Sequence, residues 1–429
     1  MTLGDGPDER ALVRKIAWRT LPLILLSYFV AFVDRANISF AAATMNADLG
    51  FSEAVYGIGA SAFFIGYALF EVPSNLALAR FGARRWLARI MLTWGLISAA
   101  TAFIQGPWQF YIMRFALGVA EAGFYPGVII YVSSWFPGGH RAWAVSRFFI
   151  ALPLAFIAMG ALAAPLLALD GWLGLHGWQW LLIAEGLPSV LLAVVLLLAL
   201  PDRPETASWL SEAERTWLTA ALSAEAASAG IASHSLLRAL LHPVVLTLGF
   251  ANALNFLAIN ALTFSAPKLL ARDTGLDVTG VGHIVSAGGV AIALALLVVG
   301  LLAGKTVTRT LATYAGLMLA ASGGMALLWL GGTAVTSIGG YILFVGTAQT
   351  AGMLPLVVLS RLVAPQDRAA GLAMANTIAQ CGAFCGPLIW GFAATATGSY
   401  NLGVALLLPF ALASAVTALL VRRASVRPA

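Results

Sequence analysis

The feature that most constrains this chain is a succession of long apolar runs. Crossing about 30 Å of hydrocarbon takes about 20 residues of α-helix at 1.5 Å per residue. Runs of that length recur twelve times, at 17–43, 54–79, 84–104, 108–135, 142–168, 178–200, 243–267, 278–302, 309–330, 334–360, 370–396 and 399–421. Only 10% of the 429 residues are charged and 60% are hydrophobic, whereas soluble domains carry about 25% charged residues. A water-facing surface cannot be built from that supply. The chain is expected to be an all-α polytopic membrane protein. The first run follows Arg14, Lys15 and Arg19 and is too long for a signal peptide, so it is expected to be retained as a span.

One long polar interruption, 201–241, divides the runs into six and six, the layout of transporters built from two halves. The expected organisation is a cytoplasmic tail over 1–16, a six-helix bundle over 17–200, a cytoplasmic linker over 201–241, a second bundle over 242–422 and a tail over 423–429. Ser211 and Glu214 have the spacing of a capping box. An amphipathic helix with Trp209, Trp217, Leu218 and Leu222 is predicted from there, lying on the membrane surface.

Orientation follows from the basic residues. Arg35 and Arg114 lie within spans, and Lys268 and Arg272 fall in a loop opposite the termini. Every other one of the 24 Lys and Arg falls on the side of the termini, including Arg238, Lys305 and Arg427. An odd number of spans would scramble this asymmetry. Both termini are therefore expected to be cytoplasmic. The net charge of +6 then suits an anionic inner leaflet rather than nucleic acid.

Ionisable groups inside hydrocarbon cost at least about 2.5–3.5 kcal/mol each and are functional candidates by default. Six stand inside spans: Asp34, Arg35, Glu71, Arg114, Glu121 and Glu185. Asp34 and Arg35 lie about 24 Å beyond Trp18, and Glu121 lies about 21 Å beyond Pro107. Both depths are near the midplane of a tilted helix. Arg114 and Glu121 are two turns apart on one face. The four midplane charges sum to zero. They could form a salt-bridge network that only fixes packing, but buried ion pairs stabilise weakly. The alternative is a proton-coupled site for an anion. A guanidinium grips a carboxylate bidentately, and a buried acid near an arginine can titrate near working pH. Glu71, two turns before Arg80, reads as a gating or structural salt bridge. Glu185 faces no basic partner in sequence and reads as structural.

The segments Tyr28–Asn37, Glu71-Val72-Pro73-Ser74-Asn75, Arg114–Gly127 and Trp135-Phe136-Pro137 resemble the major facilitator superfamily. Within it the likeness is to the anion:cation symporter family, in its tartrate- and phthalate-type branch. Gly177-Trp178-Gln179-Trp180 and the central-loop residues Asp202-Arg203-Pro204 also match, with sparser likeness through Asn376-Thr377-Ile378 and Gly386-Pro387. The resemblance implies twelve transmembrane helices in two pseudo-symmetric six-helix bundles and proton-driven uptake of a small organic carboxylate by alternating access. It carries a proton-coupling role to Asp34 and Glu121 and a substrate- or acid-pairing role to Arg35 and Arg114. It gives a cavity-lining role to Tyr67, which could otherwise be a packed aromatic. Asn376 matches a polar position on the C-terminal side of the site, and Gln380 replaces a more usual asparagine; such a pair could equally join helices.

Several departures from the family pattern bear on function. In the loop after span two, Ala79 stands where an acid is usual, leaving Arg80, Arg84 and Arg85, with Glu71 as a candidate replacement for gating. The matching loop around Gly304 and Lys305 has almost lost the pattern. Leu152 stands where the sugar-acid branch has glutamine, which favours a less hydroxylated carboxylate. Asn252, Asn255 and Asn260 in span seven lie outside the family pattern and are candidates for specificity, Asn255 among the substrate-binding set.

No phosphate-cradling Gly-Lys-Ser/Thr motif supports ATP-driven transport. No His–acid cluster resembles a metal site, and Cys381 and Cys385 read as small packing residues. The expectation is a secondary transporter rather than an enzyme, without metal or organic cofactor, with protons as the coupling ion. Its partners would be a small organic anion, protons and the bilayer of the cell's inner membrane, with the chain acting as a monomer. An anion sensor built on a transporter fold, and an exporter or antiporter, are the alternatives.

Overall fold

A computed structural model describes residues 8–228, 240–302, 306–363 and 367–426, without the side chains of 142, 146, 368, 369 and 424–426. Arg238, Gly304, Lys305 and Arg427 lie outside the described residues, as does the side chain of Arg368. With no water in hydrocarbon to satisfy backbone N–H and C=O groups, each span must be a helix. The first half consists of α1 (Glu9–Leu49), α2 (Glu53–Phe81), α3 (Ala83–Thr101), α4 (Pro107–Glu121), α5 (Phe124–Trp135), α6 (Gly138–Phe148), α7 (Ala151–Leu167) and α8 (Gly177–Ala199). The linker holds α9 (Glu212–Ser228). The second half consists of α10 (Pro243–Thr274), α11 (Val278–Leu302), α12 (Val307–Leu330), α13 (Ala334–Ala351), α14 (Leu354–Leu362), α15 (Arg368–Thr397) and α16 (Tyr400–Val426).

Ten spans are long and apolar enough to cross a membrane when α4–α5 and α13–α14 are each taken as one. The other two are α3, whose first turns carry Arg84, Arg85 and Arg89, and the divided α6–α7. The first span runs back to Glu9, into the stretch expected to be a tail, and Leu12, Val13 and Ile16 are buried. Asp8 caps it by accepting from the Arg10 N–H at 3.0 Å.

Three spans are broken, and each break has a proline on its far side. Proline lacks the N–H that would bond the carbonyl four residues back. Pro126, Pro153 and Pro355 thereby withhold a partner from the carbonyls of Ala122, Phe149 and Ala351, where α4, α6 and α13 end. Ala122-Gly123-x-x-Pro126 and Ala351-Gly352-x-x-Pro355 are the same pattern at corresponding places in the two halves. Gly123 sits at φ 83, a region that is strained for any residue with a Cβ.

Helix packing repeats with a pseudo-two-fold relation. α3 packs on α8 as α12 packs on α16, α2 on α4 as α11 on α13, and α1 on α7 and α8 as α10 on α15 and α16. The same operation exchanges the two main contacts between halves, α7 with α11 and α2 with α15. Small residues allow the close approaches: a Cβ on Gly95 would fall 2.7 Å from the Gly186 carbonyl oxygen. Such contacts replace the hydrophobic drive that lipid cannot supply between helices.

Side-chain bonds join the halves at the face opposite the termini. There the Glu53 carboxylate of α2 accepts from Lys268 Nζ of α10 at 2.6 Å and from the Tyr400 hydroxyl of α16 at 3.0 Å. Tyr56 donates to the Phe264 carbonyl at 3.0 Å, and Ser61 to the Phe384 carbonyl at 2.7 Å.

At the terminal face, α9 does not simply lie on the bilayer. It docks on the first half. The predicted capping box is present, with Ser211 N–H donating to Glu214 at 2.8 Å and Glu214 N–H to Ser211 Oγ at 3.2 Å. Lys15 of α1 donates to the same carboxylate at 2.7 Å; this bond holds the Glu214 carboxyl below its usual range. Leu218 is fully buried, and Trp209 stacks on Trp135 with ring centroids 5.6 Å apart.

Candidate functional site

The break after Ala122 ends α4 just beyond Glu121, so Glu121 stands at the last helical turn before a bend in mid-span. From α1, Arg35 reaches it and donates Nη2 to Glu121 Oε1. The sequence leaves the pairing among the four midplane charges open, and the structure pairs Arg35 with Glu121 across helices. Two turns of α4 put Arg114 and Glu121 on one face, but the Arg35 fork from α1 bonds the carboxylate.

Arg114 is left as a buried cation. It is 2% exposed, and its Nε and Nη2 have no hydrogen-bond partner. Its guanidinium carbon lies 5.3 Å from the ring centre of Phe63 and 5.9 Å from that of Phe264. Phe264 belongs to the second half, so this cation sits where the halves meet. Cation–ring attraction offsets part of the desolvation but satisfies no N–H fork.

Arg35 is less enclosed: a quarter of its side-chain surface remains accessible against 3% for Glu121. Its guanidinium lies 5.6 Å from the Tyr67 ring, 5.3 Å from Phe63 and 5.6 Å from Phe32. Tyr67 is therefore beside Arg35, buried and part of the cluster. The aromatic floor continues through Tyr28, which stacks on Phe148 at 3.8 Å.

Asp34 is 1% exposed and is held by α3 and its own helix rather than by an arginine. Ser98 of α3 donates to its Oδ1, as does Asn37 Nδ2 at 3.3 Å, while Oδ2 has no partner. Asp34, Arg35, Arg114, Glu121 and Tyr67 are thus gathered in the first half, on three spans.

The second half contributes polar but uncharged groups. Asn376 of α15 donates Nδ2 to Glu71 of α2 at 3.0 Å, bridging the halves. Gln380 is buried one turn further along. Asn255 is fully buried and donates Nδ2 to the Ala348 carbonyl at 3.1 Å, next to the break in span ten. Its bond lies within its own half, toward the α13–α14 bend.

The gating set is rearranged. Glu71 meets Asn376, not Arg80, Arg84 or Arg85. Arg80 lies over the Phe81 ring at 5.5 Å. The acid at this loop is Asp202, which accepts the Arg84 backbone N–H at 2.9 Å and caps α3 from the end of the first half. Asp202 was visible as a family match in the central loop; its partner was hidden because the two segments are far apart in sequence. Glu185 was likewise missed as a neighbour of Asp34: it stands beside Gly186, whose Cβ would fall 3.3 Å from the Cβ of Ser98. Among the described residues, no cluster of His, Cys, Asp and Glu could hold a metal, and both cysteines are free.

The helical architecture agrees with comparisons to known proteins. The model of the Major Facilitator Superfamily matches residues 24–356 and 248–429. A protein of Agrobacterium vitis named "Putative tartrate transporter" is 42% identical over 416 residues, covering 97% of this chain and 95% of that protein. A "Quinolone resistance transporter" of Acinetobacter baumannii is 37% identical over 405 residues, covering 92% and 91%. Among solved structures, a D-xylose-proton symporter superposes with a TM-score of 0.73 at 17% identity, covering 93% of this chain and 96% of that one. A bacterial homolog of the human lysosomal transporter Spinster, inward-facing and occupied, gives 0.74 at 15% identity, covering 98% of each. The repeated packing and these matches over nearly the whole length lead to one conclusion: the chain belongs to the major facilitator superfamily and is a multi-pass membrane transporter, not an enzyme.

Proposed function

We propose that the chain takes up a small organic carboxylate together with protons, by alternating access between its two halves. The observation that carries this reading is Arg114: a buried guanidinium with two unsatisfied N–H groups, between Phe63 of one half and Phe264 of the other. A buried fork of this kind lacks an anion, and a carboxylate fits it bidentately. Arg35, partly accessible beside Tyr67, supplies the second cation once Glu121 is protonated and releases it. Protonation of Glu121 and binding of the substrate at Arg35 then become linked events. Asp34 is the second proton-coupling acid. Moving a carboxylate with one proton moves no net charge, whereas an uncompensated charge crossing 100 mV involves about 2.3 kcal/mol.

Tyr67, Asn376 and Gln380 would contact the substrate, and the relatives named for tartrate transport support an organic acid. Asn255 would act through the α13–α14 bend. The Glu71–Asn376 bond would gate the terminal side, with Arg80, Arg84 and Arg85 near the loop held by Asp202. The charge asymmetry between loops supports cytoplasmic termini in a cell inner membrane, and in this reading the chain acts as a monomer with protons as the coupling ion.

The test is uptake into proteoliposomes, acid outside and negative inside, loaded with a pH dye and given a panel of carboxylates. At least one carboxylate should accumulate with acidification of the lumen. If none moves and no proton enters, the symport reading is wrong. The resistance transporter among the relatives favours one rival, export by proton antiport; substrate leaving as protons enter would establish it.

A further inference from the structure

Behind the site, where α1, α3 and α8 pack together, lies a second set of buried polar groups. Glu185 of α8 is 4% exposed and neither of its oxygens has a hydrogen-bond partner. Ser189, one turn along, also has an unpartnered hydroxyl, and so does the Trp94 indole of α3. Glu185 stands next to the surroundings of Asp34: a Cβ on the adjacent Gly186 would fall 3.3 Å from the Cβ of Ser98, which donates to Asp34 Oδ1, and Asn37 donates to the same oxygen at 3.3 Å. The groups facing it from each packed element can be named. α1 supplies Asp34 and Asn37; α3 supplies Trp94 and Ser98, its arginines being near the terminal end; α7 carries no titratable side chain. Beyond Asp34 lie Arg114 and the Arg35–Glu121 pair.

We propose that Asp34 and Glu185 form a carboxyl dyad that holds one negative charge between them, with Glu185 as a further proton-binding group of the transport cycle. Two carboxylates buried side by side repel, and Asp34 Oδ2 and both Glu185 oxygens lack donors that would sustain a second charge. Arg114 balances one charge, not two. The dyad therefore titrates in two macroscopic steps that belong to the pair. Its role in transport rests on the proton-coupled reading above; its existence does not.

The test uses the full-length protein in lipid vesicles without substrate, followed by infrared difference spectroscopy of protonated carboxyl groups against pH. Asp34→Asn and Glu185→Gln should each remove one step. The surviving acid should titrate at least about one pH unit below the upper step of the unaltered protein. Glu185→Asp, which keeps an acid, should retain two steps, and it serves if the glutamine variant does not fold. A surviving acid that titrates where it did before, or a Glu185→Gln spectrum that loses no carboxyl band, would overturn the dyad. In proteoliposomes, Glu185→Gln should move the alkaline limb of uptake to lower pH by the same amount. An unmoved limb would remove Glu185 from the cycle. If the unaltered protein carries no protons, the symport reading fails, while the infrared result still decides the dyad.

Discussion

At the scale of single residues, the arrangement separates two cations that look alike in sequence. Arg35 has a bonded carboxylate and a route to solvent; Arg114 has neither. Their substitution should therefore differ. Arg114→Lys keeps the charge but loses the fork, and hydrogen bonds to charged groups are worth about 1.5–3 kcal/mol. Substrate affinity should fall by roughly 10- to 100-fold, read from concentration dependence of counterflow, with the protein still folded. Full affinity in that variant would show that no anion docks there. Glu121→Gln removes the titratable group while preserving shape. Accumulation driven by a pH gradient should vanish while substrate exchange persists. Full accumulation would take Glu121 out of the coupling role. The depths of Asp34, Arg35, Arg114 and Glu121 were legible from span boundaries alone. The pairing was not, because spacing along α1 and α4 does not say which arginine of one helix reaches the acid of another, and it is Arg35 that meets Glu121.

At the scale of elements, the breaks in spans four and ten are where the sequence was informative but incompletely read. The prolines were identifiable as kink sites; the matching Ala-Gly-x-x-Pro pattern in the two halves marks where helices end. The two glycines are not equivalent. Gly123 adopts φ 83, but Gly352 has an ordinary right-handed conformation at φ −55. Gly123→Ala should cost about 1–2 kcal/mol through its left-handed backbone, and Gly352→Ala should cost less. Thermal unfolding in detergent would compare them, and equal losses would contradict the backbone argument. The linker helix shows the reverse case. Its capping box was predicted correctly, but docking on Lys15, Trp135 and the first half could not follow from amphipathicity. Because Glu214 titrates below its usual range, the stabilisation is present above about pH 4.3 and is lost as pH falls through the lowered value. Hydrogen exchange of α9 should rise in that acid window, and Glu214→Gln should raise it already at neutral pH. Exchange unchanged by the substitution would mean that Lys15–Glu214 does not hold the helix.

At the scale of the whole molecule, the halves are closed at the face opposite the termini by Glu53, Lys268, Tyr400 and the Tyr56 and Ser61 bonds. Opening that face requires these contacts to part. Glu53→Gln weakens the cluster by removing its charge, and Lys268 is then left poorly compensated. With Cys381→Ser and Cys385→Ser in place, Ser61→Cys should react slowly with a membrane-impermeant maleimide added from that face. Adding Glu53→Gln should speed the reaction several-fold, and an unchanged rate would remove the cluster from the role of a latch. The charged groups deep in the spans all lie in the first half, and the second half answers with Asn376, Gln380 and Asn255. The pseudo-symmetry of packing is therefore not a symmetry of chemistry.

The amino-acid sequence by itself determined the membrane, the twelve spans, the division into halves and the short set of buried charges. These depend on composition and periodicity along one chain, where lipid imposes a simple rule on length and polarity. Only the tertiary structure decided what each acid meets: Glu121 the Arg35 guanidinium, Glu71 the Asn376 amide, Asp202 the Arg84 backbone N–H at the loop where position 79 lacks its acid, and Glu185 the surroundings of Asp34. Such pairings depend on how helices distant in sequence rotate and cross, and that is set by close-packed small residues and helix breaks that act through space.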